Sequence, residues 1–249
     1  MIDTSFEDSS NWYAACVKDK GHYFHRNIIL PRIKQILTIH KNSKIIDLAC
    51  GSGILQRWIN PEVEYVGIDI SKSLIKEAGK YAKKNQSFVQ ADITKQLPIS
   101  NIDFSHAFII LALQNIEDGE KVIKNASKHL KKNGKLILVL NHPCFRIPRQ
   151  SAWHIDEDKK LQSRLISSYM SSMKIPIKTH PSKKSSPVTY SFHYPIETYI
   201  SWLSSNNLLV EKIEELCSDK KSTGKKARME NRARKEFPLF MIIVAKKVG

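Results

Sequence analysis

The residues best placed to do chemistry sit where three apolar runs each end in an acid. Asp47-Leu-Ala-Cys-Gly51-Ser-Gly53 closes the run Lys44–Leu48, Asp69-Ile70 closes Glu64–Ile70, and Asp92-Ile93 follows Gln86–Ala91. Gly51 and Gly53 allow a tight backbone turn and a close ligand approach. A helix beginning just after them presents its positive end to an anionic group. Asp69, sixteen residues beyond Gly53, can accept both hydroxyls of a ribose. Asp92 can accept the exocyclic amine of adenine while Ile93 covers one ring face. Gln56 stands where the dinucleotide fingerprint needs its third glycine, and the Lys-Ser/Thr of a P-loop is absent. Both phosphate-gripping signatures are therefore incomplete.

Positioning these residues needs alternating strands and helices. His22–His40 carries an apolar stripe through Ile28, Ile29, Ile33, Ile36 and Leu37, with Pro31 set to kink it. Strands are expected at Lys44–Leu48, Glu64–Ile70, Gln86–Ala91, Phe104–Ile110 and Lys135–Asn141. Helices are expected over Ile54–Ile59, over Lys72–Lys84 with Ser71 as N-cap, and over Glu117–Lys132 with Asn133-Gly134 as its stop. Five strands with helical joints imply a parallel sheet covered on both faces. Beyond Asn141, prolines at 143, 148, 176, 181, 187 and 195 break the alternation, and Val188–His193 reads as a strand. A helix over Ile196–Ser205 and strands over Leu208–Leu216 and Leu239–Lys246 complete the pattern, the last two as an antiparallel hairpin at the sheet edge.

The runs KIIDLACGSG, YVGIDIS and FVQADI resemble successive motifs of the class I S-adenosylmethionine-dependent methyltransferases. IEDGEKVIKNASKHLKKNGKLILV resembles a helix and fifth strand of that family's small-molecule branch. WYAACVKDKGHYFH is similar to its N-terminal lid, and FHYPIETYISWLSSNNLLVEKIEEL with FPLFMIIVAKK to its last helix and strand pair. The resemblance implies a Rossmann-like three-layer α/β sandwich, with a seven-stranded, mostly parallel sheet of order 3-2-1-4-5-7-6. It implies one domain over residues 1–249: a helical lid (1–40), a cofactor core (43–141), a substrate-covering insertion between the fifth and sixth strands (146–195), and a final helix and strand pair (196–249).

The same resemblance implies S-adenosylmethionine as methyl donor and S-adenosylhomocysteine as product. Asp47, Ala49, Gly51 and Gly53 would surround the methionine moiety, Asp69 with Ile70 the ribose, and Asp92 with Ile93 the adenine. Ile109, Ile110 and Leu111 would give backbone contacts near the sulfonium. Tyr13, Tyr23 and His25 would belong to the lid.

Methyl transfer is an in-line displacement, so positioning does most of the work. A base is needed only where the nucleophile starts protonated. His142, in Asn141-His-Pro-Cys-Phe-Arg146, has a suitable ordinary pKa, though a histidine at a strand end also serves as a brace. His25 is the second candidate base. Cys144 follows a proline as the nucleophile of cytosine-C5 enzymes does, but the remaining motifs of those enzymes are missing. No Asp/Asn-Pro-Pro-aromatic run follows the fourth strand, which argues against amine methylation of a flipped base. His142, Phe145, Arg146, Arg149, Trp153 and His193 are the expected substrate contacts, a mixed apolar and cationic set suited to an aromatic or acidic small molecule.

The 249 residues carry 40 Lys+Arg against 24 Asp+Glu, a formal charge of +16. Within 218–236, eight cations face three acids. This admits an RNA-binding or RNA-modifying enzyme as the alternative to a small-molecule methyltransferase. The cysteines show no zinc spacing, no apolar run is long enough to span a bilayer, and Met1-Ile-Asp-Thr-Ser5 does not read as a secretion signal. A cytoplasmic protein without a metal is expected.

Overall fold

The computed structural model describes residues 7, 21–178, 186 and 188–249. Its main sheet has seven strands. These are β1 (Lys44–Leu48), β2 (Glu64–Asp69), β3 (Gln86–Gln90), β4 (Phe104–Ile110), β5 (Leu130–Asn141), β10 (Leu208–Leu216) and β11 (Phe240–Lys247). Their order is β10-β11-β5-β4-β1-β2-β3, which counted over these strands alone is the expected 3-2-1-4-5-7-6. β1 pairs in parallel with β2 and β4, and β4 in parallel with β5. β11 is antiparallel to both β5 and β10. The last strand is thus internal to the sheet, and β10 takes the edge.

Successive residues of each central strand enter opposite cores, because strand side chains alternate. Ile46, Ala107, Leu138 and Ile243 share one core with Val122, Ile123 and Ala126 of α3 (Gly119–His129) and Tyr199 and Leu203 of α4 (Ile196–Ser205). Ile45, Phe108, Ile137 and Val244 share the other with Ile29, Leu30 and Ile33. Both faces are dry, which explains why these strands read as continuous apolar runs.

Several boundaries differ from expectation. The N-terminal helix opens at Tyr23 and passes through a π-helical turn, His25–Ile29, into α1 (Leu30–Ile36); Pro31, which has no N–H to give the preceding turn, follows directly on the π-helical turn. Residues 54–59 form turns and a bend, not a helix. Gln56 is buried there and donates to the Tyr81 carbonyl at 2.7 Å and to Gln86 Oε1 at 2.6 Å, tying the segment to the stretch 81–86 that leads into β3. α2 (Lys72–Gly79) is capped by Ser71, whose hydroxyl accepts from the Leu74 amide at 3.1 Å. α3 stops at His129, and β5 begins at Leu130, because Leu130 already pairs with Phe104 before the register shifts to Lys135.

The insertion folds as two hairpins separate from the main sheet. β6 (Ser151–Asp156) pairs with β7 (Leu161–Ile166), and β8 (Met173–Lys178) with β9 (Val188–His193). The basic stretch ends in α5 (Ala227–Glu236), which buries Met229 and Ala233. Among the described residues, no helix is long and apolar enough to cross a membrane.

Candidate functional site

The C-terminal ends of β1 and β2 are welded into one corner. Cys50 extends the pairing by donating its amide to Ile68 O at 3.0 Å. The backbone then turns through positive φ at Ala49 (61°), Gly51 (55°) and Gly53 (77°). A Cβ on Gly53 would lie 3.1 Å from Ala78 Cβ, so glycine is required there by both conformation and space. The Gly51 amide donates to Asp69 Oδ2 and the Ser71 amide to Asp69 Oδ1, each at 2.9 Å. Each carboxylate oxygen keeps a lone pair for a further donor. Burial raises the Asp69 pKa, opposed by these amides. The expected helix over 54–59 is absent, so the helix N-terminus at this corner is that of α2, whose N-cap Ser71 gives its amide to Asp69.

Asp47 is fully buried and accepts the Tyr65 hydroxyl at 2.6 Å. Burial foremost, then the charge of Asp69, lifts its pKa to about 7 against the opposing Tyr65 bond. Such a carboxyl gains most from a cationic neighbour. Asp92 accepts the Thr94 amide at 2.9 Å and hydroxyl at 2.7 Å. Burial opposes its ionisation, but Thr94 and Lys95 outweigh it and bring the pKa below its ordinary value. Ile93 is buried in the core beneath, whereas Ile70 is exposed. Ile109 is buried and Ile110 half-buried. Leu111 turns the chain at φ 53° while its amide donates to Val139 O at 2.9 Å.

Glu7 is a contributor that the sequence did not signal. Its carboxylate accepts from the Ser71 and Ser73 hydroxyls, at the lip of the Asp69 corner. Gln114 is another: it donates to Asn141 O at 3.1 Å and accepts the Asn141 amide at 2.8 Å, clamping the end of β5. An isolated acid or amide in a loop carries no pattern that could have revealed either.

Of the lid residues, Tyr13 lies outside the described residues. Tyr23 points away from the corner, giving its hydroxyl hydrogen to Asp219 Oδ2 at 3.0 Å under the Lys220 ammonium, 4.6 Å from its ring centre. His25 is buried, its ring 4.1 Å from that of His22. Burial and the neighbouring His22 push its pKa down to about 3.

At the end of β5, His142 is buried with both ring nitrogens engaged. Nδ1 accepts the Cys144 and Phe145 amides at 3.2 and 3.3 Å, and Nε2 meets Glu215 Oε1 at 2.8 Å. That set suits a neutral ring protonated on Nε2. Burial lowers the pKa, opposed by Glu215. Burial, and then Glu215, raises the pKa of the Cys144 thiol, which opposes nucleophile formation. Phe145, Phe237 and Trp153 stack edge to face, with centroids 5.5 and 5.6 Å apart. His193 is buried against the Tyr169 carbonyl at 2.8 Å. Arg149 is exposed at φ 60°. Arg146 lies over the Phe240 ring at 5.0 Å.

Several cations of the basic stretch are engaged within the fold. Lys226 pairs with Glu157 at 2.5 Å, Arg234 contacts Ser222 and Asn231, and Lys220 covers Tyr23 and Phe24.

Residues 39–179 match a family model described as "Methyltransferase domain", more than half of the sequence. The chain belongs to that family. It is a class I S-adenosylmethionine-dependent methyltransferase in fold and motif, and the family's methyl donor is S-adenosylmethionine. Solved methyltransferases that it resembles include an S-adenosylmethionine-dependent enzyme from Mesorhizobium loti (TM-score 0.69, 23% identity, 87% of this chain and 96% of that one). Another comes from Listeria monocytogenes and is described as putative (TM-score 0.67, 22% identity, 88% and 97%). Among curated proteins, demethylmenaquinone methyltransferase of Staphylococcus carnosus is 29% identical over 127 residues, 48% of this chain and 52% of that protein. This methyltransferase therefore spans about half the length of the curated relatives it matches.

The corner fits the donor. A buried carboxyl with a pKa near neutrality, Asp47, suits the methionine ammonium. A carboxylate fixed by two amides, Asp69, suits the ribose.

Proposed function

We propose that this methyltransferase transfers a methyl group to a small-molecule acceptor. The observation that carries the reading is the Gly51–Asp69 hydrogen bond, which makes the glycine turn and the acid of β2 a single rigid receptor. Bound S-adenosylmethionine supplies a methyl group activated on a sulfonium. The chain supplies placement: Asp47 and the turn 49–53 hold the methionine end, Asp69 with Ile70 the ribose, Asp92 the adenine, and the backbone at 109–111 faces the sulfur. Rigid placement of this kind can account for most of the acceleration of an in-line displacement.

We read His142 as a brace rather than a base. Proton removal at Nδ1 would sacrifice two amide bonds, and Nε2 is turned to Glu215. His25 is less suited still, because its buried ring is held far below the pKa at which a base works near neutrality. The acceptor is read as small because the insertion's first hairpin is tied to the segment just past β5, Arg164 of β7 donating to Phe145 O at 2.7 Å, and because the curated relative above is named a demethylmenaquinone methyltransferase.

Calorimetry with S-adenosylhomocysteine tests the donor site, and transfer of labelled methyl groups into fractionated metabolite pools tests the acceptor class. Tight NAD binding without a response to S-adenosylhomocysteine would overturn the reading.

A further inference from the structure

Among the described residues, Arg146 is a cation without a paired carboxylate. It sits five residues past the end of β5, half-buried, with its guanidinium 5.0 Å over the Phe240 ring. Among the described residues its hydrogen bonding comes to one long contact, Nη1 to Leu239 O at 3.5 Å, and no carboxylate pairs with it. Beside it lies a second arginine in the same condition. Arg164 donates to Phe145 O and to Ser151 Oγ, each at 2.7 Å, and covers the Trp153 ring at 5.0 Å, again with no carboxylate. Burial and the charge of Arg164 both disfavour the cationic form of Arg146, and burial foremost, with the charge of Arg146 behind it, disfavours protonation of His22. Two guanidiniums are therefore gathered in a partly dry place, and among the described residues no carboxylate pairs with either. Desolvated charge of one sign is unfavourable unless an opposite charge arrives.

The place is next to the donor corner. Gly21 packs against Ile54, the residue after Gly53, and against His25. His25 stacks on His22, His22 Nδ1 accepts the Phe24 amide at 3.2 Å, the Phe24 ring lies 5.4 Å from that of Phe240, and Arg146 lies over Phe240. A short line of contacts thus joins the glycine turn to the guanidinium. Phe145, Phe237 and Trp153 form an aromatic wall beside Arg164, whose guanidinium covers Trp153 and donates to Phe145 O.

Resting on the methyltransferase reading above, we propose that Arg146, flanked by Arg164 and His22, docks the carboxylate of an acidic methyl acceptor. A planar guanidinium offers two parallel donors to a carboxylate, which a lysine cannot match. The acceptor's carboxylate anchors one end against Arg146, and its planar body lies along the aromatic wall, toward the donor corner.

The test uses the full chain saturated with S-adenosylhomocysteine and titrated with benzoate or with benzamide, its uncharged isostere. Benzoate should bind at least about tenfold more tightly than benzamide, the scale of one charge-assisted hydrogen bond. Arg146→Gln should remove that preference while leaving S-adenosylhomocysteine affinity unchanged. Arg146→Lys, which keeps the charge and the fold if the glutamine variant does not fold, should lose several-fold in benzoate affinity. Equal binding of the two probes, no binding of either, or benzoate affinity retained in Arg146→Lys would overturn the inference and leave the donor site standing. Parallel loss of S-adenosylhomocysteine affinity in the variants would also overturn it, by assigning Arg146 to the donor's own carboxylate. Failure of the wild-type chain to bind S-adenosylhomocysteine would instead remove the methyltransferase reading on which it rests.

Discussion

The Tyr65 hydroxyl and Asp47 Oδ2 meet at 2.6 Å on adjacent parallel strands, diagonal neighbours on one face of the sheet. Gly67, directly opposite Asp47, has no side chain, and the Phe88 ring and Cys50 Sγ take that space, 2.7 and 2.9 Å from where a Cβ would stand. The pair is fully buried, so the acid keeps its proton up to about pH 7.

Asp47 therefore tilts the stability curve. Its folded pKa lies above its unfolded value of 3.8, so its contribution is complete below that value and is lost as pH rises toward about 7. Asp47→Asn should flatten this slope, which amounts to roughly a few kcal/mol across the window. Urea unfolding at pH 5 and pH 8, for both chains, measures it; parallel curves would refute the assignment.

Asp69 should separate its two tasks by substitution. Asp69→Asn retains one oxygen for an amide and loses the charge; Asp69→Ala loses both amide contacts. S-adenosylhomocysteine affinity should fall about 10- to 100-fold in each, while the melting temperature drops clearly more in the alanine variant. Unchanged affinity in both would remove Asp69 from the ribose site.

His142 should behave as a structural group. Its folded pKa is lowered, so the stability it confers is present above pH 6.5 and is lost as pH falls below that. His142→Ala should cost about 1 kcal/mol near neutrality, the scale of a lost hydrogen bond, with less cost in acid. Its kcat profile should keep the wild-type shape. Loss of a neutral limb would make it the base after all.

The basic stretch should hold nucleic acid poorly. With three of its eight cations, Lys220, Lys226 and Arg234, committed to aromatic rings, Glu157, Ser222 and Asn231, at most five remain for phosphates. Filter binding of RNA should vanish well below physiological salt. Retention there, with a steep salt slope, would revive the RNA-directed alternative.

The strands and their order were legible because burial on both faces writes long apolar runs, and because the acids at their ends repeat a spacing. The helix after Gly53 was not: Ile54 and Leu55 look periodic, but the backbone closes isolated turns, the Trp58 and Ile59 amides both donating to Leu55 O, while the Gln56 side chain is anchored on Tyr81 and Gln86. The ends of α3 and β5 were misread because Leu130 serves two patterns, closing a helical stripe and opening a ladder with Phe104. The insertion's hairpins were half hidden by proline, although Pro176 sits within the outlying two-stranded ladder of β8 and β9. Arg146 could be flagged as cationic beside the fifth strand, but its lack of a partner is visible only in three dimensions.

β11 lies between β5 and β10 although it comes last of the seven in the chain. While a ribosome is still making the protein, β5 has no neighbour on one side, and its apolar residues Leu136, Leu138 and Leu140 face an unfinished ladder. The growing polypeptide thus carries an unpaired strand edge from the time β5 emerges until β11 arrives about a hundred residues later. Over that interval the nascent chain is open to pairing with the wrong partner, and the same strand that completes the sheet also ends that exposure.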